Sequence, residues 1–184
     1  MNPVFYYFNM NINSYIKNNI EERRKMKIKA IIDEDISNYK KMSMFIGTCK
    51  CDFKCCTEIG EDICMCQNSE IAQQKTHQFA NSKIIKRYLN NSLTSAIVFG
   101  GLEPFLQFDE LYDFIKDFRE VCDDDIVIYT GYYKDEIKEQ IMKLSSFKNI
   151  IIKFGRFKPK QRSHKDKILG VQLANKEQYA EKIS

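Results

Sequence analysis

Six of the chain's seven cysteines lie within one stretch, CKCDFKCCTEIGEDICMC, which runs from Cys49 to Cys66. Thiols clustered this closely either form disulfides or bind a metal. The adjacent residues Cys55 and Cys56 leave little room for several disulfides without strain. The sequence also starts without a recognisable export signal, so we expect a cytoplasmic protein. Because thiols stay reduced in the cytosol, the cluster favours a metal site.

The spacing of the cysteines distinguishes between kinds of metal centre. Structural zinc sites commonly use two C-x2-C pairs. This stretch instead contains C-x-C, C-x3-C, C-C and C-x-C, and both histidines, His77 and His164, are remote from it. Iron–sulfur clusters are also held by thiolates. The pattern therefore favours an iron–sulfur cluster, with a zinc protein or a non-catalytic metal-binding scaffold as the alternative.

Composition narrows the class of protein. The chain has 184 residues, of which 43% are hydrophobic and 29% charged, which is typical of one soluble globular domain. A net charge of +4 is too small and too dispersed to indicate nucleic acid binding. The apolar runs have the length of strands, not of membrane spans. Residues 1–25, rich in Asn and Tyr, read as an N-terminal appendage to a single domain at 26–184.

Hydrophobic periodicity after residue 26 predicts alternating strands and helices. Strands are predicted at 27–32, 43–47, 95–101, 125–131, 149–155 and 168–174, and helices in the second half of 71–90, at 108–121 and at 134–144. Apolar strands that alternate with helices predict an α/β fold with a mainly parallel sheet. In such sheets the strands end at one common edge, where ligands bind. The cysteine cluster, GGLEP (100–104), TGYY (130–133) and GRF (155–157) should therefore meet at one site.

Part of the cysteine stretch resembles a known family. The segment Cys51-Asp52-Phe53-Lys54-Cys55 is similar to the first half of the C-x3-C-x2-C loop of radical S-adenosylmethionine (SAM) enzymes. That family has its third cysteine at the position of Glu58, so this chain departs from the pattern. Because Cys66 is followed by Gln and Asn, we interpret residues 56–65 as an insertion. The resemblance then implies Cys51, Cys55 and Cys66 as the cluster ligands.

The choice of ligands stays open at this stage. A different register would use Cys49 as the first ligand or Cys56 as the second. Cys64 is the least favoured of the six. Cys122, on a predicted amphipathic helix, is best interpreted as a small buried apolar residue.

Further motifs extend the resemblance from about residue 26 to the end of the chain. GGLEP resembles the Gly-Gly-Glu-Pro motif of radical SAM enzymes, with Leu102 as an extra residue. The segments 127–137, 154–159 and 173–183 resemble parts of the activating proteins of anaerobic ribonucleotide reductase. The resemblance implies that SAM is bound by Phe53, Met65, Gly100, Gly101, Glu103, Pro104 and Thr130. Alternatively, Glu103 only caps the following helix.

The resemblance implies an enzyme in a partial (β/α) barrel. Its [4Fe–4S] cluster and SAM would generate a 5′-deoxyadenosyl radical, and this radical would form a glycyl radical on a partner protein such as an anaerobic ribonucleotide reductase. A flavodoxin or ferredoxin would donate the electron. One alternative is a radical SAM reaction on a small molecule or peptide, as in the 7-deazaguanine synthases. Neither nucleic acid nor a membrane is expected as a partner.

Overall fold

The computed structural model describes residues 24–184, which contain nine strands. They are β1 (Lys25–Asp35), β2 (Ser43–Thr48), β3 (His77–Ala80), β4 (Ala96–Gly100), β5 (Asp125–Tyr129), β6 (Ile150–Phe154), β7 (His164–Lys165), β8 (Gln172–Leu173) and β9 (Tyr179–Lys182). Seven of them form one sheet in the order β3-β1-β2-β4-β5-β6-β9, and β7 pairs separately with β8.

The centre of the sheet is parallel and its flanks are antiparallel. β2, β4, β5 and β6 pair in parallel, and β2, β4 and β6 are buried along their whole length. β1, β3 and β9 pair antiparallel outside them. The predicted α/β class is confirmed, but the sheet is mixed rather than mainly parallel, because three of its six described pairings are antiparallel. Closure into a partial barrel stays a prediction.

Five α-helices accompany the strands in the described part of the chain. They are α1 (Lys54–Thr57), α2 (Ser69–Gln73), α3 (Asn81–Leu89), α4 (Phe108–Arg119) and α5 (Lys138–Leu144), with 3-10 turns at Ile63–Met65, Pro104–Gln107 and Lys134–Ile137. The apolar face predicted for α4 is confirmed: Leu111, Phe114, Ile115 and Phe118 are fully buried in the main core. Between residues 24 and 184, no helix has the length and apolarity needed to cross a membrane.

Elements at the sheet margins differ from the sequence-based expectations. The strand predicted at 168–174 is limited to β8, and β3 and β9 were not predicted. The helix at 71–90 is confirmed only in its second half, as α3, because β3 precedes it. These short strands lack a continuous apolar run, so their pairing depends on the neighbouring strand rather than on a local pattern. Residues 1–23 of the predicted appendage lie outside the described residues, and its last residue, Lys25, begins β1.

Asp125, at the start of β5, has a pH-dependent role in stability. Tyr39 donates a hydrogen bond of 2.9 Å to its carboxylate, and Lys41 pairs with the same oxygen. Burial opposes ionisation of Asp125, but these two partners outweigh it and hold the pKa below its ordinary value. The resulting stabilisation is present above the pKa of the unfolded carboxyl, about 3.9, and is lost as the pH falls through the lower folded pKa.

We therefore expect Asp125→Asn to lower the free energy of unfolding at pH 7 and to have a progressively smaller effect below about pH 4. Urea denaturation across this pH range measures the difference. Asp135→Asn, at an exposed position, is the control. A loss that is the same at pH 7 and pH 3 would contradict the prediction.

Gly155, which follows β6, can be replaced by no other residue without strain. Its φ is +98°, and a Cβ there would lie 2.6 Å from the carbonyl oxygen of Glu177. Gly60 also has a positive φ, +69°, but a Cβ there would meet nothing within 4 Å. We expect Gly60→Ala to lower the free energy of unfolding by about 1–2 kcal/mol. Gly155→Ala should lower it by about 1–3 kcal/mol more. If chemical denaturation gave equal losses for the two variants, the close contact with the Glu177 carbonyl would not contribute to the cost of replacing Gly155.

Candidate metal and cofactor site

One cavity of about 560 Å³ lies at the edge of the sheet where the parallel strands end. Residues that follow each of the four parallel strands line it: Cys51, Cys55 and Cys66 after β2, Gly101 and Glu103 after β4, Thr130 and Tyr132 after β5, and Gly155 and Arg156 after β6. The prediction that the four unusual segments meet at one site is confirmed. The cause is the parallel pairing, which brings the carboxyl ends of these strands together.

Three thiols form a compact group beside this cavity. The sulfur atoms of Cys55, Cys56 and Cys66 all lie within 4.8 Å of one another, and those of Cys55 and Cys56 are 3.8 Å apart. Cys51 is outside this group but lines the same cavity as Cys55 and Cys66. All seven cysteines are free thiols. The predicted ligands therefore share one cavity wall, and Cys56 is close enough to compete with Cys55.

Backbone N–H groups support two of the predicted ligands. Phe53 has a φ of +54°, a left-handed conformation in which its N–H lies 3.3 Å from the sulfur of Cys51. The carbonyl of Phe53 accepts the first hydrogen bonds of α1. The N–H of Asn68 donates in the same way to Cys66, at 3.4 Å. Hydrogen bonds to sulfur favour the thiolate form that a metal requires and tune an iron–sulfur cluster.

The cavity-wall thiols differ in their pKa values. A hydrogen bond from Cys55 is the main cause that lowers the pKa of Cys66, to about 6, and the N–H of Asn68 adds to it. The same hydrogen bond, together with burial, raises the pKa of Cys55. Burial raises the pKa of Cys51 to about 11. The hydrogen bond between Cys55 and Cys66 thus favours the thiolate form of Cys66, which is the form that binds a metal.

The residues predicted to bind SAM fall into two groups. Gly100, Gly101, Glu103 and Thr130 line the cavity. Gly101 has a φ of +79°, which lets the chain turn sharply at the end of β4. By contrast, Phe53, Met65 and Pro104 are not part of the cavity wall: Pro104 is buried and Met65 is 41% exposed. Their contacts with SAM stay predictions.

Glu103 is the buried anion of the site. One carboxylate oxygen accepts hydrogen bonds from the hydroxyl of Thr130 at 2.8 Å and the N–H of Phe105 at 3.1 Å, and the other accepts from the N–H of Gly131 at 2.9 Å. Burial raises the pKa of Glu103 to about 7, although these hydrogen bonds favour the ionised form. The bond from Phe105 caps the turn Pro104–Gln107. Glu103 therefore combines the capping role with a position on the cavity wall.

Sequence analysis missed a buried lysine in this cavity. Lys153 is 6% exposed, and its ammonium group donates to the carbonyl of Gly155 at 3.0 Å. Burial lowers its pKa to about 7, and Glu103 opposes this shift. A signal existed, because Lys153 interrupts the apolar run of β6. A charged residue inside a buried strand indicates a partner or a function.

Tyr132 connects the cysteine loop to the loop after β5. Its hydroxyl donates a 2.7 Å hydrogen bond to Asp52, which lies between two of the predicted ligands. The Lys54 ammonium lies 4.7 Å from the centre of the Tyr132 ring. Tyr132 lines the cavity, and this hydrogen bond connects it directly to the loop that carries Cys51 and Cys55.

The donor set fits an iron–sulfur cluster. Such clusters take thiolate ligands, prefer hydrogen-bonded sulfurs and need space beside the ligands. Cys51, Cys55 and Cys66 supply three thiols, two of them bonded to backbone N–H groups, at the wall of a large cavity.

Thr130 keeps the Glu103 carboxylate in place. Its buried hydroxyl donates to Glu103 and accepts from the N–H of Tyr132 at 2.9 Å. We expect Thr130→Val, which preserves shape but removes the hydroxyl, to reduce the free energy of unfolding by about 1–3 kcal/mol. Thr130→Ser keeps the hydroxyl and should cost clearly less. Equal losses for the two variants in chemical denaturation would show that the hydrogen bond contributes nothing.

Comparison with known proteins supports an iron–sulfur domain. A protein-family model described as a 4Fe-4S single cluster domain matches residues 40–175, a range that contains all the cavity-wall cysteines. Searches of curated proteins and of solved structures gave no match. The family model covers well over half of the chain, from the residues before β2 to those after β8. The chain therefore belongs to the 4Fe-4S single cluster domain family.

Proposed function

We propose that this protein is a radical SAM enzyme whose [4Fe–4S] cluster is held by Cys51, Cys55 and Cys66. The observation that carries the proposal is the shared cavity, in which these thiols face the Gly-Gly and Glu103 segment after β4. The family supports it too, because this cluster domain is found in proteins of the radical SAM type. When bound, the cluster supplies the electron that cleaves SAM to a 5′-deoxyadenosyl radical.

The chain's own groups would position SAM. The backbone at Gly100 and Gly101 has no side chain to keep the methionine part of SAM at a distance. The Glu103 carboxylate retains one free lone pair for an ammonium group, on the oxygen that accepts from Gly131, and Thr130 and Gly131 hold the carboxylate in place. A cavity of about 560 Å³ is in the range of sites that enclose a molecule of this size. Its walls would also exclude water from a reactive radical.

A protein partner is the substrate we favour. The insertion beside the cavity exposes three large apolar side chains, Ile59, Ile63 and Met65, which are 41–46% accessible. Neighbouring exposed apolar residues are typical of protein interaction sites. We therefore propose that the radical is transferred to a glycine of a partner such as an anaerobic ribonucleotide reductase, with a flavodoxin or ferredoxin as electron donor.

A small substrate is the second candidate, and one observation favours it. Several polar residues also line the cavity: Asp35, Ser37, Asn38, Gln172 and Gln178. Polar groups at one end of a pocket can fix the orientation of a small molecule. A radical SAM enzyme of the 7-deazaguanine synthase kind would place its substrate there.

The proposal predicts a reducible cluster that responds to SAM. After anaerobic reconstitution with iron and sulfide, we expect an EPR signal of the reduced cluster that changes when SAM is added, because SAM would bind the open iron. Alanine replacement of Cys51, Cys55 or Cys66 should abolish the signal, since each removes a ligand. Cys64→Ala and Cys122→Ala, at positions outside the cavity wall, are the matched controls.

The outcomes separate the candidates. A cluster that is indifferent to SAM would refute the radical SAM proposal. Zinc bound in place of iron would favour the metal-binding scaffold. If SAM binds, 5′-deoxyadenosine released only with a small molecule would favour the second candidate, and a glycyl radical EPR signal on an added reductase would favour the first.

A further inference from the structure

Residues 57–65 separate Cys55 and Cys56 from Cys66. Burial contributes almost nothing to keeping this segment in place. Every one of these nine residues is exposed. All but two of their hydrogen bonds stay within residues 53–66, such as those from the N–H of Glu61 to the Cys56 carbonyl and from the N–H of Cys64 to the Asp62 carboxylate. In such a segment the apolar contacts that order a protein core are few. Interactions with the rest of the chain must therefore hold it: beyond Cys66, the Lys29 ammonium donates to the Ala72 carbonyl at 3.1 Å, and one further interaction is made within 57–65 itself.

Glu58 supplies that interaction. Its carboxylate accepts two hydrogen bonds from the Arg156 guanidinium, from Nε at 3.0 Å and from Nη2 at 2.8 Å. Within the described residues, no other hydrogen bond or ion pair joins 57–65 to a part of the chain beyond 53–69. Glu58 also stands where the resemblance to radical SAM enzymes places a third cysteine. A carboxylate anchor thus occupies the position of the missing ligand.

Arg156 is a rigid partner for this carboxylate. It is 3% exposed, donates to Glu136 at 2.7 Å and to the carbonyl of Gly131, and its own carbonyl accepts from Asn175 at 2.9 Å. Its guanidinium also lies 5.0 Å from the centre of the Tyr133 ring. A planar donor that is already fixed loses little entropy when it binds a carboxylate in a bidentate fashion.

We infer that Glu58 and Arg156 are positioning residues that hold the exposed segment 57–65 in the conformation that places Cys66 beside Cys55. They act through Cys66 and need not touch the cluster. The inference rests on the proposed role of Cys66 as a ligand, so the test must separate the two ideas.

The test uses Glu58→Gln, which keeps the size of the side chain and removes its charge. In the metal-free protein, we expect iodoacetamide to alkylate Cys66 roughly three- to tenfold faster than in the wild type, because the segment opens more often. Cys51, in the same molecule, should react at an unchanged rate and serves as the internal reference. The melting temperature should fall only modestly, because Glu136 still pairs with the buried Arg156 guanidinium and the amide oxygen of Gln can still accept from it. After reconstitution, iron and sulfide per chain should fall.

Glu177→Gln is the matched control. Glu177 pairs with Lys158 at 2.7 Å and is 51% exposed, close to the 46% of Glu58, but it is not in the cysteine segment. Alkylation of Cys66 and iron content should both equal those of the wild type. Similar acceleration in this variant would overturn the inference, because it would show a general effect of charge.

Cys66→Ala distinguishes the two possible failures. If Cys66→Ala loses the cluster but Glu58→Gln alkylates Cys66 at the wild-type rate, the positioning inference is wrong and the ligand assignment stands. If Cys66→Ala retains the full cluster, the ligand assignment is wrong. Faster alkylation of Cys66 in Glu58→Gln would then still support the anchor.

Discussion

The buried guanidinium of Arg156 is the interaction on which the site depends. A buried cation is tolerated only when its donors are satisfied, and here the partners come from separate loops: Glu58 from the cysteine segment and Gly131 and Glu136 from the region after β5. Satisfying one side chain therefore fixes several loops relative to one another. The loop that carries the thiols is held by the same group as the loop that carries Thr130.

A second buried group organises the opposite wall. The Glu103 carboxylate joins the end of β4 to the end of β5 through Thr130 and Gly131. Lys153, on the adjacent strand β6, is buried near it, and the pKa values of both residues are displaced to about 7. Such polar groups cost stability in the fold and are retained where a charged ligand repays them. These groups support the proposal that the cavity receives SAM, which carries a carboxylate, an ammonium and a sulfonium group.

Most of the fold that surrounds the site was predictable from the sequence. The apolar strands β4, β5 and β6 and the helix α4 have strong local periodicity, so their existence follows from the pattern of side chains alone. β3 and β9 were missed because they are short edge strands without such a pattern. The segment 168–174 looked like one strand, but only Gln172 and Leu173 form a strand, β8. Leu169 lies outside it, and both leucines are buried in the smaller core cluster. Their apolar side chains predicted that they are buried but did not predict their backbone conformation.

By itself, the sequence determined that this protein is a thiol-rich α/β domain with its unusual residues at strand ends, because cysteine spacing and hydrophobic periodicity are local properties. Only the tertiary structure decided which thiols meet. It placed Cys56 beside Cys55 and Cys66 and left Cys51 apart. It also paired Glu58 with Arg156, 98 positions away. Contacts between residues so far apart in the sequence depend on how the strands are paired, so no local sequence pattern predicts them.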